Sequence, residues 1–476
     1  MQATDVIRPA RRALQCVSAG LAMALSGGCA TTLDNAPQNQ PIVSASIARL
    51  AQPRDIVDTN VVALSLSGGG LRASAFAYGV LEALADAGHG RPDVFDDLTF
   101  ISSVSGGSLT AAYVALHGRS GLATFRGEVL ERNFEQGLRM TLLSPTNLIR
   151  LLAGGVNDRS NLAAALDKDV FKGATFADLL RANKPDVWIN ATDLYNRTPF
   201  PFTAPVFAGL CSDLLSLRVS EAVAASMAVP IVFAPVVLKT YPDRCLTPPP
   251  TWLKAAAEDA ASVTTSTVTA TARAVERYRD PTRMRYVKLV DGGLTDNQGL
   301  ASILIARAVS GTTVGPLNEA DAVRLRRMLF LIVDAGRPPG GDWGLTPEGP
   351  SGVDAAIAAV DAAIDSATRL SAVAFRGMFE EWRHSIVRYR CSLSPEQVRR
   401  HLRPGEPWQC DDVRFYLDVI GFERLPPPLA NRMRTMPTRL ALEPADIDAA
   451  IDAGRVAARA SGALARYRAE RVAAPQ

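Results

Sequence analysis

Apolar runs of strand length recur along the chain, each closed by small residues and followed by a stretch of helical spacing. VVALSLS, from Val61, meets Gly68, Gly69 and Gly70 and passes into ASAFAYGVLEALADAG, a helix pattern that ends near Gly88. LTFISSVS then runs into GGSLTAAYVALHG in the same way. Two strand-to-helix units in succession predict right-handed crossovers and a parallel sheet covered by helices. Further strands are predicted at DVWINATDL, PIVFAPVVL, YVKLV before Asp291, and MLFLIVDAG. The expected fold is α/β, with three layers (α/β/α) around a mainly parallel central sheet, over residues 61–340. Within it, TPPPTW and an Ala/Thr-rich stretch make 240–280 an insertion, either a lid or a surface decoration. Val353, Ile357, Val360 and Ile364 recur at helical spacing, so 341–476 is read as a mainly helical C-terminal extension packed on the core.

The N-terminus follows a different pattern. Arg8, Arg11 and Arg12 precede an apolar run from Ala13 to Leu25, then Ser26, Gly27, Gly28 and Cys29. A bilayer span needs about 20 apolar residues, so this run is too short to cross one. Residues 1–29 resemble the signal of bacterial lipoproteins, which implies lipidation of Cys29, although Leu25 stands one place early and Ser26 takes its position. An ordinarily cleaved signal is the alternative. Ala30 after the cysteine resembles the outer-membrane destination. The implied location is the bacterial cell envelope, with the protein anchored to the outer membrane and facing the periplasm or the cell surface. Residues 30–60, rich in Thr, Asn, Gln and Pro, read as a tether.

Composition narrows the partners. The chain has 476 residues, 47% hydrophobic and 21% charged, with 51 Lys and Arg against 48 Asp and Glu. A net charge of +3 with no dense run of one sign argues against nucleic acid. Arg455, Arg459, Arg466, Arg468 and Arg471 make the last helical stretch basic, as a solvated face or an anionic-lipid contact. Cys211, Cys245, Cys391 and Cys410 contain no CxxC pair, so a zinc site is not expected. In an exported chain they are either disulfides, with Cys211–Cys245 and Cys391–Cys410 the sequence-local pairing, or buried thiols.

Three motifs carry chemistry. Ser103-Val104-Ser105-Gly106-Gly107 sits where a strand gives way to a helix, the position of a nucleophile elbow, with Ser103 where glycine is usual. Gly68, Gly69 and Gly70 can turn backbone amides toward a developing oxyanion at the positive end of a helix. Gly68-x-Gly70-x-x-Ala73 also fits a dinucleotide fingerprint, but the next strand ends on Ser105 rather than on a ribose-binding acid. Asp291, at a strand end before two glycines, supplies a carboxylate on a tight turn. A serine hydroxyl needs such a base to become a nucleophile.

Together SGGGLRA, SVSGGS and DGG, with ATDL at 191–194 and SMAVPIVFAPV at 226–236, resemble the patatin-like phospholipases over roughly residues 61–340. The resemblance implies a patatin-like fold and a Ser-Asp dyad without histidine. Ser105 would be the nucleophile, Asp291 the base, the amides of Gly68, Gly69 and Gly70 the oxyanion hole, and Arg72 a support of the glycine loop or a surface ion-pair member. Ser67 and Ala73 depart from the plant-type pattern and look more like the cytosolic phospholipase branch. The implied function is lipid acyl hydrolysis of the phospholipase A or lysophospholipase kind through an acyl-serine intermediate, with no cofactor and no metal. The implied partners are membrane phospholipid or another acyl lipid as substrate, and the membrane surface through the lipid anchor.

Two alternatives remain open at this point. One is a general esterase with a Ser-Asp-His triad, for which only His384 and His401 follow Asp291 in the chain order such triads use. The other is an inactive lipid-binding protein. Asp193 and Asp296 are alternative carboxylates. Phe200, Phe202 and Trp252 lie near the candidate entrance by motif proximity, and are otherwise core.

Overall fold

The central strand shows how the sequence divides the molecule. In a strand, successive side chains point to opposite faces. Val62, Leu64 and Leu66 enter one core, with Leu71, Phe76 and Leu109. Val61 and Ala63 enter a second, with Phe330, Phe375 and Trp382. Both faces of this strand are therefore apolar, as a sheet covered by helices on both sides requires.

The computed structural model describes residues 33–50, 59–86, 93–139, 144–180, 185–250, 253, 267–336, 342–345, 347–402 and 405–472. The strands are β1 Gln40–Pro41, β2 Asn60–Leu66, β3 Leu98–Val104, β4 Asp186–Asp193, β5 Thr198–Pro201, β6 Ser212–Asp213, β7 Val236–Lys239, β8 Tyr286–Asp291, β9 Arg327–Val333 and β10 Arg414–Ile420. The helices used below are α1 Gly70–Ala85, α2 Gly106–His117, α3 Pro145–Leu152, α4 Val219–Ser226, α5 Thr267–Tyr278, α6 Ala301–Val309, α7 Gly352–Ser392, α8 Pro444–Arg459 and α9 Gly462–Val472. The large sheet has the order β10-β9-β2-β3-β4-β8-β7, with β5 also on β4. From β10 to β4 every neighbour is parallel. β8 then runs antiparallel to β4, and this reversal brings Asp291 opposite Ala191, one residue past the Asn190 that pairs with Val104. β8 thus enters from beyond the end of β4 and runs back along it, so that its last residue, a carboxylate, arrives at the elbow.

Residues after 341 do not stand apart from the sheet. RFYLDVI forms β10, which pairs in parallel with all of β9. α8 lies along α1, and a Cβ at Gly79 would strike the Ile451 carbonyl while one at Gly454 would strike that of Phe76, so the two helices meet backbone to backbone. The terminal arginines serve this packing: Arg455 pairs with Glu82, Arg459 with Asp86 and Arg471 with Asp97, and buried Arg468 donates to the Ala83 carbonyl.

The described part of the 30–60 segment is likewise held against the body. β1 pairs with β6, and Asn39 bonds both Ser212 and the Lys239 backbone. In the 240–280 insertion, α5 packs inward through Ala272, Val275 and Tyr278. Phe200 and Phe202 are core, in ring contact with Phe176, Phe207 and Tyr278. Trp252, like Cys29, falls outside the described residues. Disulfides join Cys211 to Cys245 and Cys391 to Cys410. Among the described residues no helix is long and apolar enough to cross a membrane.

Candidate active site

β3 ends at Val104, and the chain turns into α2 through Ser105, whose φ of 51° and ψ of −122° lie in a region that side chains rarely adopt. Close packing enforces the turn. A Cβ at Gly106 would collide with the Gly70 carbonyl, and one at Gly107 with the carbonyls of Leu66 and Ser67, so only glycine fits at either position. Ser103 is accommodated because its hydroxyl donates to the Trp188 carbonyl at 3.0 Å, on the side of β4.

A polar network beneath the elbow fixes it. The Ser105 amide donates to Ser226 Oγ at 2.8 Å, Ser226 donates in turn to the Asn190 carbonyl at 2.6 Å, and Ser108 Oγ lies 3.0 Å from Ser226 Oγ. The Asn190 amide reaches Ser102 Oγ and the Ser103 carbonyl, while Ser302 donates to its oxygen. Each of these groups is buried, and each finds a partner, so the network holds the ends of β3 and β4 in one arrangement.

Asp291 comes to the same point on the end of β8. Its backbone amide donates to the Ala228 carbonyl at 2.9 Å and that of Gly292 to the Ser226 carbonyl at 3.3 Å, so the SMAVP segment ties nucleophile and carboxylate together. The Asp291 carboxylate accepts the Gly293 amide at 2.8 Å and faces the Ser105 hydroxyl. Burial raises its pKa to about 6, and the Gly293 amide and the nearby Ser105 hydroxyl only partly oppose the rise. A serine hydroxyl facing a carboxylate that ionises near neutrality is the arrangement proton abstraction needs.

The glycine loop lies alongside. Gly69 has φ of 139° and Gly70 of 63°, conformations open to glycine. Gly68 departs from the expectation, because its amide already donates to the Asn297 carbonyl at 3.1 Å and so is not directed at a substrate oxygen. Gly69 and Gly70 keep amides with no acceptor among the described residues, at the start of α1, and α2 starts beside them at Gly106. The two helix N-termini bring partial positive charge to one spot.

Arg72 is not a surface residue. It is fully buried and donates to the carbonyls of Met436 at 2.7 Å and Ala335 at 2.9 Å, so it clamps the glycine loop to the chain on both sides of it. The C-terminal part adds a further brace, since Leu71 donates to the Arg439 carbonyl at 2.9 Å.

The other candidates lie elsewhere. Asp193 is occupied by the Tyr278 hydroxyl at 2.7 Å, the Asn196 amide, and the backbone amides of Tyr195 and Asn196. Asp296 accepts the amides of Gln298 and Ala301 and caps the turn that follows. His384 lies on α7 two residues from Trp382, which donates to Val314, and near Arg390, which donates to Leu325 just before β9. That is the N-terminal edge of the sheet, opposite the elbow, and His401 follows in the same region.

The structure also supplies polar residues that the motifs did not name. Ser226 and Asn190 stand under the elbow. Asn297 accepts the Gly68 amide through its carbonyl, and its side-chain oxygen lies within 3.0 Å of where a Cβ on Gly293 would sit, beside Asp291 Oδ1. All three fall in stretches whose motifs were visible, but a lone Ser or Asn carries no signal of position.

The profile "Patatin-like phospholipase" matches residues 64–304, half of the chain. No curated protein matches it in sequence. Among solved structures, human GIVD cytosolic phospholipase A2 aligns over 91% of this chain and 65% of its own, with 12% identity and a TM-score of 0.41. VipD from Legionella pneumophila aligns over 86% and 67%, with 11% identity and a TM-score of 0.31. The chain thus spans about two thirds of the length of either.

Proposed function

Because the chain belongs to the patatin-like phospholipase family, we propose that it is a lipid hydrolase that cleaves acyl esters by a Ser105–Asp291 dyad. The observation that carries the reading is the Ser105 hydroxyl at the elbow facing the buried Asp291 carboxylate between two helix N-termini. In the proposed reaction Asp291 takes the hydroxyl proton as Ser105 Oγ attacks the ester carbonyl. The amides of Gly69 and Gly70 meet the oxyanion, and each such donor is worth roughly 2.7–4 kcal/mol when removed. Collapse of the tetrahedral intermediate expels the alcohol, which takes the proton back from Asp291. Water then attacks the acyl carbonyl as the same carboxylate takes its proton, and collapse breaks the acyl–Oγ bond, with Ser105 Oγ taking that proton back as the fatty acid leaves. We place the substrate in a membrane or micelle and the protein on the bacterial envelope through Cys29.

The test compares a long-chain phospholipid below and above its aggregation threshold with a short-chain nitrophenyl ester. A rise in rate on the aggregated lipid is expected. Equal or better efficiency on the soluble ester, with no rise on aggregation, would leave a general esterase instead.

Ser226 gives a prediction about positioning. Ser226→Ala removes the acceptor of the Ser105 amide and the bridge to Asn190. A buried amide left unpaired costs about 1–3 kcal/mol, so kcat should fall roughly ten- to a hundredfold. KM for the short ester should hold, because the hydroxyl of Ser226 touches no substrate. A KM change without a kcat change would argue against this role.

A further inference from the structure

We propose that α3 and the adjoining 229–231 turn form a membrane-docking face that seats a lipid bilayer beside the serine–carboxylate pair. The inference rests on the lipid-hydrolase reading for what the face serves, but docking itself is measured without catalysis.

The first sign is the polarity of α3. A surface helix ordinarily turns its apolar side inward. Here Asn147 and Arg150 point in, and the Arg150 guanidinium donates to Asp158 at 2.6 Å and to the Val156 carbonyl at 2.9 Å. Arg150 and Asp158 keep only 3% of their side-chain surface. Leu148 and Ile149 are 53% and 52% exposed, and Leu152 84%. The helix is fastened by a buried ion pair and shows its leucines to solvent. A buried ion pair is a poor source of stability, so a leucine facing inward would serve folding as well or better. Contact with an apolar medium accounts for the orientation.

The second sign is continuity with the active site. Just after α3, Val156 and Asn157 donate to the carbonyls of Ile231 and Val232, at 3.2 and 3.0 Å. Val229 and Ile231 are exposed as well. Val229 directly follows Ala228, whose carbonyl accepts the Asp291 amide. The exposed apolar residues therefore lie on α3 and on the 229–231 turn that its following segment pairs with, and that turn is joined directly to the residue that holds the Asp291 backbone.

The third sign is where the chain enters. Leu33 Cδ1 lies 3.9 Å from the place a Cβ on Gly154 would take, at the end of α3. The Asp34 amide donates at 2.9 Å to Asp158, the residue that also holds Arg150. Cys29 precedes Leu33 by four residues, which can span at most about 14 Å. An acyl anchor on Cys29 would bring the bilayer to this face and to no distant one, which selects lipid over a second protein as the occupant.

The experiment uses the full chain with Cys29→Ser, so that no acyl group holds it to membranes, with and without Leu148→Glu and Leu152→Glu. Each is floated with vesicles of phosphatidylcholine and phosphatidylglycerol and assayed on a monomeric short-chain ester. The parent should float, and the double variant should bind at least about tenfold more weakly, since two leucines no longer enter the lipid. Both should hydrolyse the soluble ester at similar rates and melt at similar temperatures, because the substituted side chains are exposed. In a third chain, Leu152→Trp, the emission should shift to the blue on vesicles. Equal flotation of parent and double variant, a parent that stays in solution, or an unshifted tryptophan would each overturn the proposal. Loss of self-association in the double variant, without any change in flotation, would assign the face to a second copy of the chain. A parent that floats through Leu148 and Leu152 yet cleaves neither substrate would leave the docking face standing and remove the hydrolase reading.

Discussion

Ser105→Ala is expected to abolish ester hydrolysis and fluorophosphonate labelling while the protein stays folded. The substitution removes one oxygen at the elbow. What holds the elbow is backbone and neighbour chemistry that alanine keeps: the amide of residue 105 still donates to Ser226, and Gly106 and Gly107 still pass under the Gly70, Leu66 and Ser67 carbonyls. Alanine carries the same Cβ into the same unusual backbone conformation, so the melting temperature should change little. Without an attacking oxygen the acyl intermediate cannot form, and a nucleophile deletion in a serine hydrolase costs roughly four to six orders of magnitude in kcat. Asp291 also loses the neighbouring hydroxyl that lowers its pKa, so the carboxyl should titrate higher in the variant than in the parent. Labelling retained at another serine would move the nucleophile away from Ser105.

The chemistry of the site was more legible in the sequence than the frame that holds it. Ser105, Asp291 and the glycine run announce themselves because sharp turns at strand ends admit few residue types, and those types recur in fixed order. The sequence could not show that β8 runs antiparallel to β4, since direction in a sheet is set by the whole topology. That reversal is nonetheless what brings Asp291 to Ser105. RFYLDVI, which forms β10, mixes charge with apolar residues and offers no clean alternation, so nothing in the sequence marks it as a strand. Its stability comes from pairing with β9 and packing under α9, contacts far off in the chain.

Arg72 illustrates the same limit from the other side. A basic residue beside a glycine motif reads as an electrostatic support or a surface ion-pair member. Its partners prove to be carbonyls some 260 and 360 residues away, at Ala335 and Met436, so its role depends on a C-terminal region outside the motif. Gly68 was assigned by position in a run of three equal glycines, and only the fold distinguishes the one whose amide Asn297 occupies.

Asp291→Asn should lower kcat by about two to four orders of magnitude, because an amide cannot take the serine proton and no histidine among the described residues stands near enough to replace it. His384→Ala and His401→Ala should leave activity nearly unchanged, and a histidine variant as damaging as the aspartate one would restore the triad. The parent should show the titration of the base directly: kcat/KM should fall by about tenfold per pH unit below an apparent pKa of about 6 and level off above it. The same shift predicts an opposite effect on stability. Burial raises the pKa of Asp291 above that of the unfolded chain, so the folded protein binds this proton more tightly. The stabilisation that follows is complete below pH 4 or so and is lost as the pH rises toward about 6. Above that, ionised Asp291 costs the fold on the order of 3 kcal/mol at most, and asparagine, which carries no charge to desolvate, does not. The inactive Asp291→Asn protein should therefore melt at a higher temperature than the parent at pH 8, with the difference closing by pH 4. A variant that is less stable than the parent at pH 8 would mean that the carboxylate is held ionised without penalty, and the raised pKa on which the base role rests would fall with it.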